Sequence, residues 1–385
     1  MLTENSEKQR FKFELAGCVY SSTNNPQMSD PTPPIAPSAP TAKRGVVGLR
    51  NLGNTCYANS AIQALRQITE MTYLCLTKDS DLKKTSTTHS GKLFDAYKDL
   101  IQTLWSNNHP AFITPNAFWS DMLAAADKAG YEHFRGREPQ DAHEFMMFLL
   151  DQIFEGTKEQ VHFVIQRPPV TNDRERRIQS ALESWKANFE KQYTPIVDIW
   201  FGLLECETEC QTCKNKTYRY ETFNSLKFTV PAKLEEGQVP PTIHEMLHEE
   251  WKPETIEGYD CEKCVARTQA IRQSKIWRLP RCLILVFKRF LPNGQKVQTN
   301  WTWKEENFML KEFFSTASPE KSQEFVYGVQ SIVDHHGSAR GGHYTAQGLN
   351  PIDNHWYFYD DENSGAMEKP VFGRTNYMLL MRAKI

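Results

Sequence analysis

The stretch Gly48-Leu49-Arg50-Asn51-Leu52-Gly53-Asn54-Thr55-Cys56-Tyr57-Ala58-Asn59-Ser60-Ala61-Ile62-Gln63-Ala64-Leu65 divides into a turn and a helix. Gly53 and Asn54 favour the turn. Ala58, Ala61, Ile62 and Leu65 recur at i, i+3, i+4 and i+7, one face of a helix. Thr55 or Asn54 is suited to cap it. Cys56 then falls in the first turn, where the helix dipole is expected to lower its pKa. Asn51 lies upstream on the loop, where its amide could donate to a developing oxyanion. A lone cysteine before a helix is more often buried structure than chemistry, so the assignment depends on a partner base.

His343 is the best placed of the eleven histidines. It lies in Gly341-Gly342-His343-Tyr344-Thr345-Ala346, where the glycines would let a narrow ligand or another backbone approach closely. Trp356-Tyr357-Phe358-Tyr359-Asp360-Asp361 follows as a strand ending in two carboxylates. A hairpin between the two would bring Asp360 beside His343 as the orienting member of a Cys-His-Asp triad. Asp361, facing the other way along the strand, is a secondary candidate. His335 and His336 are rival bases, read here as loop residues ahead of Gly337.

Cys210-x-x-Cys213 and Cys261-x-x-Cys264 form two hooks separated by residues 214–260. A two-residue spacing lets both sulfurs of a hook face one ion, and two hooks complete a closed four-cysteine site of structural zinc. A redox CxxC is a weaker reading, because the second hook would then have no role.

The surrounding chain is ordinary globular material. It has 385 residues, 39% hydrophobic and 24% charged, with a net charge of −2. That balance lacks the basic surplus of a nucleic-acid binder. No apolar run approaches the roughly 20 residues of a membrane span, and the charged start MLTENSEKQRFKF is no secretory signal. An intracellular protein of the nucleus or cytoplasm is expected, with its nine cysteines as thiols or ligands. Residues 1–44 read as a flexible tail: six prolines fall between Pro26 and Pro40. The apolar patch from Phe11 to Tyr20 is the one docking candidate within it.

From Gly45 onward the patterns are helical first. Leu93 to Trp105 reads as a helix, and Ala142, Phe145, Met146, Leu149, Leu150 and Ile153 mark another, with Pro139 suited to its first turn. Residues 155–198 read as a long surface excursion with some helix near Ile178 to Phe189. After 198 the period changes: Leu226/Phe228/Val230 and Phe325/Tyr327/Val329 alternate as strands do, Cys282 to Phe287 is apolar on both faces and suits a central strand, and His343 to Gln347, Trp356 to Tyr359 and Tyr377 to Met381 are further strand candidates. Helices followed by strands indicate an α+β fold.

These motifs together resemble the ubiquitin-specific proteases. Gly48 to Leu65 is similar to that family's cysteine box, and Gln140-Asp141-Ala142-His143-Glu144-Phe145 to its next motif. Gly342-His343-Tyr344-Thr345-Ala346 with Asp360-Asp361 resembles its histidine box, and the two hooks resemble its zinc-bearing fingers. The resemblance implies a papain-like α+β fold with a helical thumb (about 45–198), β fingers (about 199–275) and a β palm (about 276–385). It implies a cysteine isopeptidase that hydrolyses the bond at ubiquitin's C-terminal glycine, so ubiquitin and ubiquitinated proteins are the expected partners. Cys56, His343 and Asp360 would be the triad, with Asn51 the oxyanion donor. Gln140, Asp141, Glu144, Gly342 and Tyr344 would contact the ubiquitin tail. One zinc would be held by Cys210, Cys213, Cys261 and Cys264, with no cofactor for catalysis. Pro139 and Cys206 depart from the family pattern. The segments Phe134-Arg135-Gly136 and His335 to His343 look nearest to members acting on histones. A catalytically silent ubiquitin-binding scaffold on the same fold is the rival, and it predicts a missing triad member. A zinc-ribbon nucleic-acid module predicts a basic surplus. Acyl transfer by the same triad is a third alternative.

Overall fold

A computed structural model describes residues 11–15, 18–22, 43–77, 87–136, 138–165, 169–305, 307–338 and 341–384. The proline-rich stretch from Pro26 to Pro40 lies outside them. Of the Phe11 to Tyr20 patch, Phe11–Leu15 and Cys18–Ser22 are paired strands, and the second also pairs with Val164–Ile165.

The helix Cys56–Leu65 sits at the centre of the molecule, and all ten of its residues are buried. The apolar stripe seen in the sequence therefore understates its role. Its polar residues are buried with partners: Gln63 Nε2 donates to the Val47 carbonyl at 2.8 Å, and Ser60 Oγ to that of Tyr57 at 3.0 Å. Helices Thr69–Leu76, His89–Leu104, Asn116–Ala129 and Ala142–Thr157 pack around it through Phe94, Tyr97, Phe118, Phe145, Met146 and Leu149. The last begins later than its sequence implies. Asp141 caps it by accepting from the Glu144 amide at 2.9 Å, so Pro139 lies ahead of the helix rather than in its first turn.

The other face of the central helix rests on a seven-stranded sheet. Its order is Asn363–Met367, His355–Asp360, Gly341–Asn350, Val326–Ser338, Asn376–Lys384, Cys282–Lys288, Leu226–Thr229. Every pairing is antiparallel except the last. Cys282–Lys288 is buried along all but its final residue, as a central strand covered on both faces must be. Ser331 Oγ donates to the Ala64 carbonyl at 2.8 Å and ties sheet to helix.

A second, four-stranded antiparallel sheet has the order Lys216–Phe223, Gly202–Cys210, Ala266–Arg278, Glu254–Cys261. Its long strand Ala266–Arg278 runs from the second cysteine hook back toward the palm sheet.

Residues 155–198 are not the surface excursion that their polarity implies. Helix Asp173–Phe189 buries Ile178, Ala181, Leu182, Trp185 and Phe189, and these pack with Phe163, Tyr193, Val197 and Trp277. Those five recur at i, i+3, i+4, i+7 and i+11, one helical face whose signal is diluted by charge on the other. Pro195–Trp200 is a further short helix with Pro at its start and Thr194 as its cap. No helix among the described residues is long and apolar enough to cross a membrane.

Candidate active site and metal centre

The turn before Cys56 is built by side chains. Gly53 and Asn54 both have positive φ, 109° and 54°. Asn51 Oδ1 accepts from the amides of Gly53 and Thr55 at 2.9 and 3.1 Å. Thr55 is the N-cap residue, but its hydroxyl makes no cap bond; it accepts instead from the Leu52 amide at 2.9 Å. Gly48 is required by packing, since a Cβ there would lie 2.1 Å from the Glu362 carbonyl oxygen. The cysteine turn is thereby pressed against the hairpin that follows Asp360.

His343 and Asp360 meet on that hairpin side. His343 Nε2 lies 2.5 Å from Asp360 Oδ1. The last registered pair of their strands is Ala346 with Tyr359, both buried. One step further along, Asp360 falls on the opposite, open face, diagonal to His343. Asp360 holds Nε2, so Nδ1 is the nitrogen left for a proton exchange. Cys56 is brought against the same strand: its sulfur accepts a hydrogen bond from the backbone amide of Tyr344, the residue after His343.

Cys56 departs from the expected low pKa. Burial pushes its thiol above the ordinary range, the Tyr344 amide pulls it down, and the Asp361 carboxylate pushes it up again. Only 6% of the residue is exposed, and in so dry a place loss of hydration outweighs the helix dipole.

Asp361 has a different set of partners from Asp360. It opens the two-residue turn after His355–Asp360 and has φ of 47°. Its Oδ2 accepts from Asn51 Nδ2 at 2.8 Å and its Oδ1 from Asn59 Nδ2 at 2.7 Å. Asn59 is among the residues by which this stretch resembles the family's cysteine box, but the sequence assigns it no role, since Ser60 and Gln63 on the same buried helix are equally polar.

The expected tail-binding residues fall in two groups, Gln140 and Glu144 at His133, and Asp141 with Tyr344 beside Tyr377. Glu144 is exposed and lies 3.4 Å from His133 Nε2. Gln140 Nε2 donates to the His133 carbonyl at 3.1 Å. Asp141 accepts from the Tyr377 hydroxyl as well as capping its helix. The Tyr344 side chain is buried, packed between the His335 and Tyr377 rings, while its backbone amide donates to the Cys56 sulfur. Gly342 is approached by its own chain: a Cβ would sit 2.3 Å from His335 Nε2.

His335 and His336 are strand residues, not loop residues, since Val326–Ser338 extends through both. His335 is buried, and burial, with Lys296 beside it, holds its imidazole down to about 3. It stays neutral at physiological pH and is enclosed by Phe290 and Tyr344. Phe134 is likewise buried, against Tyr57, Phe145 and Phe148. Of the two histone-like segments, Phe134 and His335 are thus core residues, whereas Arg135, Gly136 and His336 are exposed.

The two hooks converge. One sulfur each from Cys210, Cys213, Cys261 and Cys264 lie within 4.8 Å of one another. Cys210–Cys264 and Cys213–Cys261 are 3.8 and 3.6 Å apart. Four sulfurs at 2.3 Å from a tetrahedral ion would be spaced at about 3.8 Å. Each hook closes by the same turn: the amides of Lys214 and Val265 donate to the carbonyls of Cys210 and Cys261, with φ of 56° and 51°. Hydrogen bonds from the Cys213 amide and the Thr268 hydroxyl hold the Cys210 thiol below its ordinary range, while the crowded sulfurs push Cys264 above it. Four thiols so close cannot all ionise without a cation, so the donor set fits a metal ion. Cys206 stands apart, 3.6 Å from Ser274 Oγ.

The ubiquitin carboxyl-terminal hydrolase profile matches residues 47–381, and the chain belongs to that family. Ubiquitin carboxyl-terminal hydrolase 2 of Bos taurus is 28% identical over 88% of this chain and 55% of its own length. Ubiquitin carboxyl-terminal hydrolase 21 of Homo sapiens is 27% identical over 87% of this chain and 61% of its own. The chain thus spans little more than half the length of these relatives. Among solved structures, the SAGA DUB module of Ubp8, Sgf11, Sus1 and Sgf73 bound to monoubiquitin superposes with a TM-score of 0.67 at 20% identity, over 91% of this chain and 72% of that one. The same module bound to ubiquitin aldehyde gives 0.65, also at 20% identity, over 89% and 70%. At that identity the likeness speaks for the fold.

Proposed function

We propose that this chain is a deubiquitinating cysteine protease that hydrolyses the isopeptide bond at ubiquitin's C-terminal glycine. The observation that carries the reading is the convergence of the Cys56 thiol on the strand of His343 while Asp360 engages His343 Nε2. The family and the ubiquitin-bound neighbours supply the substrate.

In this reading the resting thiol is neutral, because burial disfavours the thiolate. His343 Nδ1 takes its proton as the sulfur attacks the glycine carbonyl. The same nitrogen then protonates the departing lysine amine. The thioester left on Cys56 is hydrolysed by water, with His343 again as base. The oxyanion of each step is held by the Cys56 backbone amide and Asn51 Nδ2. An amide nitrogen has two hydrogens; one of Asn51's is engaged by Asp361, which leaves the other for the oxyanion. Zinc is the ion assigned to Cys210, Cys213, Cys261 and Cys264. It would fix the end of the second sheet and, with four protein ligands, have no vacancy for chemistry. The silent-scaffold alternative predicts an incomplete triad, and Cys56, His343 and Asp360 are all present.

Incubation with ubiquitin carrying a C-terminal electrophile tests the proposal. A covalent adduct on Cys56, absent from Cys56→Ala, is expected. Folded protein that binds ubiquitin and forms no adduct would overturn it.

A further inference from the structure

Asn59 lies one helical turn beyond Cys56, facing the loop that leads into it. It is 4% exposed. Its Nδ2 donates to Asp361 Oδ1 at 2.7 Å and lies 3.2 and 3.4 Å from the carbonyls of Leu49 and Arg50. One amide group thus holds both the residues before Asn51 and the carboxylate that grips Asn51 Nδ2 from the other side.

Asp361 is placed by its turn: it sits in the left-handed region, which aspartate adopts more readily than most non-glycine residues, and from there its carboxylate reaches both asparagines. Its two oxygens divide their work, one fixed by the rigid central helix through Asn59 and the other engaging Asn51. Asn51 Oδ1 is already occupied by the amides of Gly53 and Thr55. With both ends of its amide engaged, the plane of that group is determined, and so is the direction of its second hydrogen.

We infer that Asn59 is a positioning residue: through Asp361 it aims the Asn51 amide at the oxyanion. Asn59 touches no reacting atom. Its contribution exists only if Asn51 is the donor, so the inference rests on the proposed mechanism above. The Glu362 carboxylate adds a parallel support, accepting from the Asn51 backbone amide at 3.3 Å, but that contact fixes the backbone and leaves the side chain free to rotate.

A double-mutant cycle on the full chain tests this, read as kcat and KM on a ubiquitin C-terminal amide reporter. Loss of one oxyanion donor costs about 100- to 1,000-fold in kcat. Asn59→Ala should lose roughly 10- to 100-fold of kcat, with KM within about twofold of wild type. In an Asn51→Ala background the same change should cost almost nothing, because its target is gone. If Asn59→Ala fails to fold, Asn59→Ser, which is too short to reach Asp361 but keeps a small polar group beside the carbonyls, should show the same roughly 10- to 100-fold loss of kcat in folded protein. A purely structural role would lower folded yield and multiply with Asn51→Ala. Independent, multiplying losses would overturn the inference and leave the mechanism standing. Wild-type kcat in Asn51→Ala would overturn the oxyanion assignment and the inference with it.

Discussion

Two adjacent carboxylates have opposite duties at the scale of single residues. Asp360 is bonded to His343, whereas Asp361 is bonded to Asn51 and also pushes the Cys56 thiol up, and in the proposed mechanism the first orients the base and the second the oxyanion donor. Removing each should therefore move thiol reactivity in opposite directions. In Asp361→Ala the thiol loses a neighbouring negative charge, its pKa falls, and more thiolate is present at pH 8. Alkylation of Cys56 by iodoacetamide should quicken several-fold while amide hydrolysis slows. Asp360→Ala leaves His343 unheld, so both rates should fall, and hydrolysis should fall further than in Asp361→Ala. Slower alkylation in Asp361→Ala would refute the division of roles. The meeting of His343 with Asp360 was legible because strand alternation and a hairpin suffice to bring them to one face. The links from Asp361 to Asn51 and Asn59 were not. They depend on a positive φ in a two-residue turn, and nothing in the letters Asp-Asp-Glu fixes that geometry.

At the scale of elements, strands read best where a short run of β-forming residues was unbroken, apolar throughout in Cys282–Lys288 and aromatic in His355–Asp360. Helix Asp173–Phe189 read poorly because its charged face is as dense as its apolar one. The join between the two sheets was hidden for a related reason, since it is made by polar groups buried far apart in sequence. Glu320, in the short turn Pro319–Ser322, accepts from the Leu279 amide at 3.1 Å, and the Arg278 guanidinium lies 4.0 Å away. Burial raises its carboxyl to about 7, although Arg278 pulls the other way. An unfolded glutamate titrates near 4.3. The folded state thus binds the extra proton between these values, and the stability Glu320 contributes is present below pH 4.3 and lost as pH rises through about 7. Glu320→Gln keeps an acceptor for Leu279 without a charge. Its melting temperature should exceed that of wild type at pH 8, by a margin worth at most about 4 kcal/mol, and the margin should shrink by pH 5. A difference independent of pH would show that Glu320 titrates as though exposed. Arg278 retains Asp198, 3.9 Å away, so the substitution does not strand it.

Across the whole molecule, the candidate catalytic groups and the cysteine hooks lie on different sheets, and we propose that the second sheet helps to hold ubiquitin. Every candidate catalytic group lies on the central helix, its preceding loop or the palm hairpins, and the four hook cysteines lie on the second sheet. The long strand Ala266–Arg278 connects the two, ending beside the Glu320 turn. Metal loss should consequently act on one function and spare the other. Without the ion, four crowded sulfurs must share protons, and the hooks keep their own backbone turns but lose the tie between their sulfurs. The edge strands Lys216–Phe223 and Glu254–Cys261 would fray from that end, because each is held on only one side. The palm end should persist, since Glu205 is buried there with Arg177, Ser315 and Tyr220 all bonded to it at 2.5 to 3.0 Å. Stripping zinc with a chelator under reducing conditions should therefore raise KM for a ubiquitin reporter by about tenfold or more, a loss of grip of roughly 1.4 kcal/mol. Iodoacetamide should still alkylate Cys56 at its native rate, and re-addition of one equivalent of zinc should restore KM. A fall in Cys56 reactivity in step with the loss of zinc would mean that the hooks support the catalytic half as well, and that the two halves unfold together.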